Sequence, residues 1–583
     1  MNTAPPCDVR TVAPRAALAW LLRFGAAFVL LNTLLTFENL WPGFGVRTMP
    51  RLSFELCLAV VALMAWVAWR GRLSARAATL LALGFVALVV ARYADVTAPA
   101  VLGRPVNVYW DGRHALELLR VAAQAAPAWQ VVAALLVLPL GALLIGGLAR
   151  AAIVSLSRCL QSRAPRPWLL TAVAALTLSF AAYEPDRRDT RWFFSLPLAP
   201  TLLHQARLLA GVWLPGRDDA VLGASPAFDG TLSGLVGEHG PADVLLVFAE
   251  SYGAGSFDQP AQAAALAVPR QAFVQAIQEG GRAVVSARVS APTYGGASWL
   301  SHAALLAGVD TRDPAAHDLL LTSDRPTLVR HFARHGYRTV GWMPGLKRPW
   351  PEGAFYGFDR LADDAGIGYA GPDFGYWRIP DQAAMALLQA QELGAAAVPQ
   401  GHTPRFAVFP TTSTHAPFHP LPPFVPDATR LRGPDAYTPE QVSAARAAPL
   451  SARDALPRYL ESLRYQYAWL AQLLRQPSPR PLLMVIVGDH QPPALAGGRS
   501  ASWDVPVHVV SDDRALLQRL LGNGFVPGVE PPGQAIGPMH GLTQVLLNAF
   551  DGPGAHGPVG IEQVAAPPAT LIHPQLPAAA PGS

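Results

Sequence analysis

The sequence predicts a five-helix transmembrane bundle followed by an extracytoplasmic α/β domain with a mostly parallel central sheet. Residues of the set AVILMFWYC make up 51% of the 583 residues and charged residues 15%, which is too apolar for a wholly soluble protein. The first 183 residues contain five long apolar stretches. Beyond about residue 240, short continuous apolar runs alternate with helical patterns, which is typical of a parallel sheet covered on both faces.

The five apolar stretches are each long enough to cross a bilayer, which takes about 20 residues. They lie at 16–37, 52–69, 77–94, 129–149 and 167–183. A cleaved secretory signal would explain only the first stretch, and no small-residue cleavage pattern is evident. A buried helical bundle of a soluble protein is the other alternative, and five separate runs of this length argue against it.

Arginines between the stretches predict how the bundle is oriented. They flank the N-terminus, the second-to-third connection and the fourth-to-fifth connection: Arg10, Arg15, Arg70, Arg72, Arg76, Arg150, Arg158, Arg163 and Arg166. By the positive-inside rule these connections are cytoplasmic, so five spans place everything after residue 183 outside. The arginine-dominated, alanine-rich composition fits a high-GC bacterium. We therefore predict a multi-pass protein of the bacterial inner membrane whose C-terminal domain is periplasmic or extracytoplasmic.

Charge and cysteine content restrict what the C-terminal part can do. Residues 1–183 hold sixteen arginines and six acidic residues, whereas the remainder holds 29 basic and 34 acidic residues. An acidic soluble part argues against nucleic acid as a partner. The three cysteines, Cys7, Cys57 and Cys159, all precede this part, so it contains no disulfide, thiolate metal site or cysteine nucleophile.

Composition changes along the chain predict four segments. They are a transmembrane domain at 1–183, an interfacial linker at 184–239, the α/β domain at 240–552 and a Pro/Ala-rich tail at 553–583. Within the linker, residues 191–216 mix aromatic residues, arginine and leucine. This stretch fits a connector along the membrane surface or an ordinary linker with a core-packing helix.

Five apolar runs of the α/β domain predict buried strands, at 243–249, 283–289, 338–342, 406–409 and 482–487. Helical spacing predicts helices at 325–335 and 456–474. Polar residues follow three of the strands: Glu250 with Ser251, Asp489 with His490, and His415. Functional groups of such sheets collect beyond the carboxyl ends of the strands, so we expect these residues to converge.

Glu250, Asp489 and His490 are candidate metal ligands. Adjacent carboxylate and imidazole groups at a strand end can face one cation, although the pair also fits a helix cap beside a surface histidine. Glu250 follows an apolar run directly and is therefore expected to be buried. A buried carboxylate requires a partner or a metal ion, which favours the metal site.

Ser298 is the candidate nucleophile. It begins an apolar helix after a glycine-bearing loop, where a hydroxyl is first of all expected to be an N-cap. The same place suits phosphoryl transfer, because free N–H groups and the helix dipole favour phosphate oxygens. A metal-bound hydroxyl is also an activated nucleophile. Thr293 competes for this role but precedes the glycines.

Four motifs occur in order: VLLVFAES, GGASWLSHAALLAG, TTSTHAPF and VIVGDH. Together they resemble the alkaline phosphatase/sulfatase superfamily. They are most similar to its membrane-anchored branch of lipoteichoic acid synthases, phosphoglycerol transferases and phosphoethanolamine transferases. The resemblance covers roughly residues 240–550 by motif and the N-terminal anchor by layout. It implies an alkaline phosphatase/sulfatase-like catalytic domain at 240–552.

The resemblance also implies roles for individual residues. Glu250, Ser298, Asp489 and His490 would hold one divalent metal ion, either manganese, magnesium or zinc. Ser298 would attack phosphorus and form a covalent phosphoenzyme, where lipoteichoic acid synthases carry threonine. His415 matches the histidine that contacts the substrate head group, and it would orient phosphate or act as a general acid. A hydrogen-bonded loop histidine is the alternative for His415.

A second stretch, 345–350, lies where the family places head-group contacts, although its spacing does not match. Lys347, Arg348 and Trp350 would bind phosphate and a glycerol-like group there, or they form a solvated charged turn. The stretch from Trp377 to Asp381 resembles a family turn of structural character, and we assign it no chemistry.

Departures from the family patterns narrow the predicted activity. The sequence after Ser298 lacks the C/S-x-P-x-R motif of sulfatases, and the domain lacks the disulfides of phosphoethanolamine transferases. We predict a phosphoglycerol-type transferase that moves glycerol phosphate from a membrane phospholipid, phosphatidylglycerol, to an extracytoplasmic glycan or lipid acceptor. The alternatives are a phosphoethanolamine transferase, a lipid phosphodiesterase and a non-catalytic lipid-binding sensor on the same scaffold.

Overall fold

The computed structural model divides into two compact units, residues 1–98 with 128–207 and residues 99–127 with 208–583. It describes residues 14–552 apart from these segments: 41–42, 103–105, 107, 110, 113–119, 121–122, 124–126, 163–164, 183–193, 196, 214–221, 227, 239, 348–349, 376, 395–402, 448–453 and 498–501. The predicted tail at 553–583 lies outside the described residues. The domain boundaries expected from composition stay a prediction.

The described part of the first 213 residues is mainly helical, and each of the five apolar stretches lies largely within a helix. The helices are α1 (Pro14–Thr33), α2 (Phe54–Arg70), α3 (Ala75–Val101), α4 (Ala128–Cys159), α5 (Arg166–Ala182) and α6 (Ala199–Trp213). Strands β1 (Glu38–Asn39) and β2 (Val46–Arg47) form a small antiparallel pair. Apolar side chains of α1, α2, α3 and α4 form one core cluster.

Two of these helices, α3 and α4, are long and apolar enough to cross a membrane, judged by length and composition within the described residues. Helices α2 and α5 have 17 residues each. That number corresponds to about 26 Å of helix, which is shorter than the hydrocarbon core of about 30 Å. The predicted five-helix transmembrane bundle is therefore not confirmed.

The C-terminal part contains an eight-stranded sheet with the order β12-β6-β11-β10-β5-β9-β7-β8. Its strands are β5 (Asp243–Ala249), β6 (Ala283–Ser290), β7 (Arg338–Trp342), β8 (Arg360–Ala362), β9 (Arg405–Pro410), β10 (Leu482–Gly488), β11 (Asp504–Ser511) and β12 (Val526–Pro527). The four pairs from β10 to β8 are parallel, and β11 runs antiparallel to both β10 and β6. The predicted α/β domain with a mostly parallel sheet is confirmed. A separate hairpin pairs β3 (Val236–Gly237) with β4 (Gly240–Pro241).

Helices cover both faces of this sheet, as the alternation of side chains along β5 shows. Leu245 and Val247 belong to one core cluster, whereas Leu246 and Phe248 belong to the cluster on the opposite face. The helices are α7 (Gly255–Asp258), α8 (Pro260–Glu279), α9 (Ser298–Ala307), α10 (Pro314–Leu321), α11 (Leu328–Arg334), α12 (Asp381–Leu388), α13 (Pro439–Ala447), α14 (Ala455–Arg475), α15 (Ala494–Gly497), α16 (Arg514–Leu521) and α17 (Met539–Phe550). Helices α8 and α14 line the first face, and α9 and α17 line the second.

Parallel register brings three strand ends together at one edge of the sheet. Gly488 of β10 pairs with Ala249 of β5, and Phe248 of β5 pairs with Pro410 of β9. The segments that follow these strands therefore begin side by side, although they are far apart in sequence. This edge carries the polar residues considered next.

Candidate active site

Glu250 is held by main-chain and side-chain contacts directly after β5. Its N–H donates to the hydroxyl of Thr411, at the end of β9, over 2.9 Å. The Ser251 hydroxyl donates to Glu250 Oε1 over 2.9 Å, and the Ser251 N–H donates to Asp489 Oδ1 over 2.8 Å. Glu250 is 6% exposed, as expected for an acid that ends an apolar strand.

Asp489 and His490 occupy the neighbouring position after β10, and both are buried. The His490 N–H donates to Asp489 Oδ1 over 2.7 Å. His490 Nδ1 lies 2.8 Å from the Gln491 carbonyl oxygen, which can only accept, so Nδ1 is the protonated nitrogen. The other nitrogen, Nε2, lies 3.4 Å from Glu250 Oε1 and is the nitrogen that would bind a cation at the site.

Ser298 joins this group from the first turn of α9. Its hydroxyl donates to Glu250 Oε2 over 2.8 Å and lies 3.1 Å from His490 Nε2. The N-cap of α9 is Ala297, in a left-handed conformation, so the expectation that Ser298 caps the helix was wrong. If Ser298 were the N-cap, the helix would begin at residue 299, but it begins at Ser298 itself. The Ser298 hydroxyl is therefore turned toward Glu250 and does not cap the helix.

Thr293, the competing nucleophile, donates its hydroxyl to the Gly296 carbonyl within its own loop, over 2.7 Å. The loop then turns through Gly295, whose φ is +65°. A Cβ on this glycine would lie 1.8 Å from the carbonyl oxygen of Leu102, so the close main-chain approach requires glycine.

Three of these residues can hold a cation together. The ligand atoms of Glu250, Asp489 and His490 all lie within 4.8 Å of one another. Burial, followed by the neighbouring Glu250 carboxylate, raises the pKa of Asp489 to about 7. Two close buried carboxylates beside an imidazole lone pair fit a divalent cation, and the Ser298 hydroxyl supplies a further oxygen. This donor set accommodates manganese, magnesium or zinc.

His415 lies in the segment after β9 and is held by two neighbours. Its Nδ1 lies 2.6 Å from the Ala416 carbonyl, so Nδ1 carries the proton and Nε2 stays an acceptor. Its ring lies 4.8 Å from the ring of Trp377, in an edge-to-face arrangement. Burial lowers the pKa of His415, which keeps the imidazole neutral near pH 7.

Residues 243–509 match the Sulfatase family model, and this range includes Glu250, Ser298, His415, Asp489 and His490. The part of the chain that this match covers is called the sulfatase domain below. The resemblance to the alkaline phosphatase/sulfatase superfamily, inferred from the motifs, is thereby confirmed. No curated protein matches the chain in a sequence comparison.

Three solved structures are similar to the chain at low identity. An alkaline phosphatase superfamily protein from Vibrio parahaemolyticus is 15% identical, with 52% of this chain and 67% of that chain covered and a TM-score of 0.29. The Streptococcus pyogenes phosphoglycerol transferase GacH, in complex with sn-glycerol-1-phosphate, is 12% identical, with 53% and 85% covered and a TM-score of 0.31. The Listeria monocytogenes lipoteichoic acid synthase LtaP is 11% identical, with 59% and 80% covered and a TM-score of 0.34. We draw no functional conclusion from similarities of this size.

Of the predicted substrate-binding residues in the stretch 345–350, Lys347 is connected to His415 through the Trp377 ring, whereas Trp350 packs elsewhere. The Lys347 ammonium lies 5.8 Å from the centroid of the Trp377 ring. Trp350 instead packs against Tyr356, with ring centroids 5.5 Å apart, beside a hydrophobic core cluster. Arg348 lies outside the described residues.

Trp377, to which the motif analysis assigned no chemistry, is close to both Lys347 and His415. A Cβ on Gly345 would approach its ring to 3.1 Å. Its neighbour in sequence, Asp381, accepts main-chain hydrogen bonds from Thr412 and Ser413 and so fixes the segment that leads to His415. The Trp377–Asp381 turn therefore holds the segment of His415 and places an aromatic ring beside its imidazole.

Proposed function

We propose that this protein is a metal-dependent transferase of phospho-alcohol head groups that works through a phosphoserine at Ser298. The observation that carries the proposal is the position of the Ser298 hydroxyl, within hydrogen-bond distance of both Glu250 and His490. The sulfatase family of the domain supports phosphate-ester or sulfate-ester chemistry in general. The proposed metal ligands are Glu250, Ser298, Asp489 and His490.

The chain's own residues divide the proposed transfer into two displacements. Ser298 Oγ forms a bond to phosphorus while the bond from phosphorus to the diacylglycerol oxygen breaks, and that oxygen leaves with a proton. The acceptor hydroxyl then attacks the phosphoserine, loses its proton and releases Ser298. We propose that His415 Nε2, a hydrogen-bond acceptor on a neutral ring, takes up the proton that the acceptor hydroxyl loses. A divalent cation bound at the site would lower the pKa of the serine hydroxyl and offset charge on the phosphoryl oxygens.

The surroundings of His415 support glycerol phosphate as the transferred group. Lys347 places a positive charge beside the Trp377 ring. An ammonium at this position attracts a phosphate and accepts an uncharged polyol, whereas it repels the cationic amine of an ethanolamine head group. Phosphatidylglycerol is therefore the proposed donor, and an extracytoplasmic glycan or lipid is the proposed acceptor.

We further propose that the protein is a multi-pass inner-membrane protein with the sulfatase domain outside. Helices α3 and α4 have the length and composition of membrane spans. The arginine-rich connections predicted to be cytoplasmic support the orientation. A membrane-anchored enzyme with a phospholipid donor keeps catalyst and substrate at the same surface.

The decisive experiment incubates the full-length protein in detergent micelles with labelled phosphatidylglycerol, labelled phosphatidylethanolamine and Mn²⁺. We expect diacylglycerol release from phosphatidylglycerol and, in a peptide digest, phosphate on Ser298 and not on Thr293. Ser298→Ala should lower diacylglycerol release by about a thousandfold or more, because the covalent step is lost. Full release by Ser298→Ala would reject the mechanism. Preferential release from phosphatidylethanolamine would reject the proposed head group, and absence of release from both lipids would favour a sensor.

A further inference from the structure

One residue connects the two acidic groups of the candidate metal site. The Ser251 N–H binds Asp489 Oδ1, and the Ser251 hydroxyl binds Glu250 Oε1. The position of this single residue therefore sets the separation and orientation of both carboxylates. Any group that fixes Ser251 also fixes the geometry that a cation would meet.

Ser251 has a backbone conformation that needs support from its surroundings. Its φ is +55°, in the left-handed region that residues with a Cβ rarely adopt. Such a conformation persists when neighbouring contacts hold it. The contact on its carbonyl side comes from Tyr459, whose hydroxyl donates to the Ser251 carbonyl oxygen over 2.8 Å.

Tyr459 is well suited to act as a fixed donor. It lies on α14, 208 residues away in sequence, and its side chain is 0% exposed. Its ring packs against Phe418 with centroids 5.4 Å apart, which restricts its rotation. Burial raises the pKa of Tyr459, so the phenol keeps its proton at all working pH values.

We propose that Tyr459 is a positioning residue for the metal site: its hydroxyl holds the Ser251 turn, and the turn holds Glu250 and Asp489 at the spacing that binds the cation. Tyr459 does not touch the substrate or the reacting atoms in this scheme. The inference rests on the proposed metal site. Removing the hydroxyl alone lets the turn relax and spreads the two carboxylates over several positions.

The test compares Mn²⁺ binding by the full-length wild-type protein with Tyr459→Phe, using isothermal titration calorimetry in detergent at pH 7.5. We expect affinity to fall by about 10-fold or more, as for other residues that orient metal ligands. Added Mn²⁺ should restore the transferase rate of the variant, with little change in the KM for lipid. Tyr465→Phe is the matched control, because its hydroxyl is also buried on α14 but accepts from the Gln382 N–H instead.

The outcomes distinguish a failure of the proposed Tyr459 role from a failure of the proposed metal site. Equal Mn²⁺ affinity in wild type and Tyr459→Phe would overturn the role of Tyr459, and so would an equal loss in Tyr465→Phe. If the wild type binds no Mn²⁺, Mg²⁺ or Zn²⁺, the metal site itself fails. Thermal unfolding of the metal-free proteins shows whether Tyr459→Phe is folded. If it is not, Ser251→Ala probes the same turn through the Glu250 contact, and unchanged affinity there would also overturn the proposal.

Discussion

The Ser298 hydroxyl donates a hydrogen bond of 2.8 Å to Glu250, which directly follows strand β5 and lies 48 positions earlier in the chain. The same hydroxyl lies 3.1 Å from His490 Nε2. The hydroxyl is therefore directed at the place where the candidate metal ligands Glu250 and His490 meet. The roles of the surrounding side chains can therefore be separated by substitution.

Glu250→Gln should weaken Mn²⁺ binding by about a hundredfold or more, while the protein remains folded. The amide keeps the size of the carboxylate and its oxygen can still accept from one of the two hydroxyls, Ser251 or Ser298, but it removes one negative charge from the ligand set. Calorimetric titration and elemental analysis of the purified full-length variant measure this. Glu279→Gln is a suitable control, because Glu279 is exposed and pairs with Arg475.

Retention of a full complement of tightly bound metal in Glu250→Gln would contradict this assignment. Loss of metal in both Glu250→Gln and Glu279→Gln would indicate general damage to the protein, so the comparison between the two variants is what decides.

Lys347→Gln should reduce head-group release from phosphatidylglycerol by about tenfold, the equivalent of one charge-assisted hydrogen bond. Release from phosphatidylethanolamine should fall less, because the repulsion of its amine is removed together with the attraction for phosphate. Lipid release assays with both donors measure the ratio. Arg475→Gln, on the exposed end of α14, is the control for loss of a single positive charge. An unchanged ratio in Lys347→Gln would remove Lys347 from head-group recognition.

Trp377→Leu should raise the KM for phosphatidylglycerol with a smaller effect on kcat. Leucine keeps an apolar surface beside Gly345 but removes the flat ring that is close to both the Lys347 ammonium and the His415 imidazole. Steady-state kinetics at saturating Mn²⁺ separate the two constants. Trp377→Phe should recover most of the affinity, since a smaller ring still provides an aromatic face. A fall in kcat with an unchanged KM would place Trp377 outside the substrate site.

The sequence was most informative where strands are fully buried. The run Asp243–Ala249 forms β5 with the predicted bounds, because a strand covered on both faces is apolar almost throughout, here at every position after Asp243. The meeting of Glu250 with Asp489 and His490 was also expected, since parallel strands in register end at one edge. These features depend on local composition and on a general property of parallel sheets.

Other features depend on contacts between distant segments and left no pattern in the sequence. Strand β11 contains Pro506 within its ladder, which obscures a strand that is nevertheless paired on both sides. Trp377 lies 30 positions from Lys347 and 38 from His415, so only the folded chain reveals that their side chains meet. The expected five membrane spans are not confirmed, since apolar composition alone does not fix helix length and two of the described helices are long and apolar enough to cross a membrane.

Acidification should destabilise the sulfatase domain through His508, which is buried beneath the site. Its Nδ1 lies 2.7 Å from the Ser286 hydroxyl, and its Nε2 lies 3.0 Å from the Tyr252 hydroxyl. The Ser286 hydroxyl donates to the Gly528 carbonyl, so Nδ1 donates to Ser286. Burial lowers the pKa of His508 from 6.5 to about 3, so the imidazole is neutral in the folded protein near pH 7 and its Nε2 can accept from Tyr252.

Because the folded pKa lies below the unfolded one, the unfolded state binds more protons as pH falls below 6.5. The free energy of unfolding should then decrease by about 2 kcal/mol between pH 6.5 and pH 5, and the loss continues toward the folded pKa. His508→Gln removes this titration, so its melting temperature should change less between pH 7 and pH 5 than that of the wild type. His204→Gln, an exposed site, should keep the wild-type dependence. Thermal unfolding of the full-length metal-free proteins in detergent measures all three, and parallel pH curves for wild type and His508→Gln would show that His508 does not control the acid response.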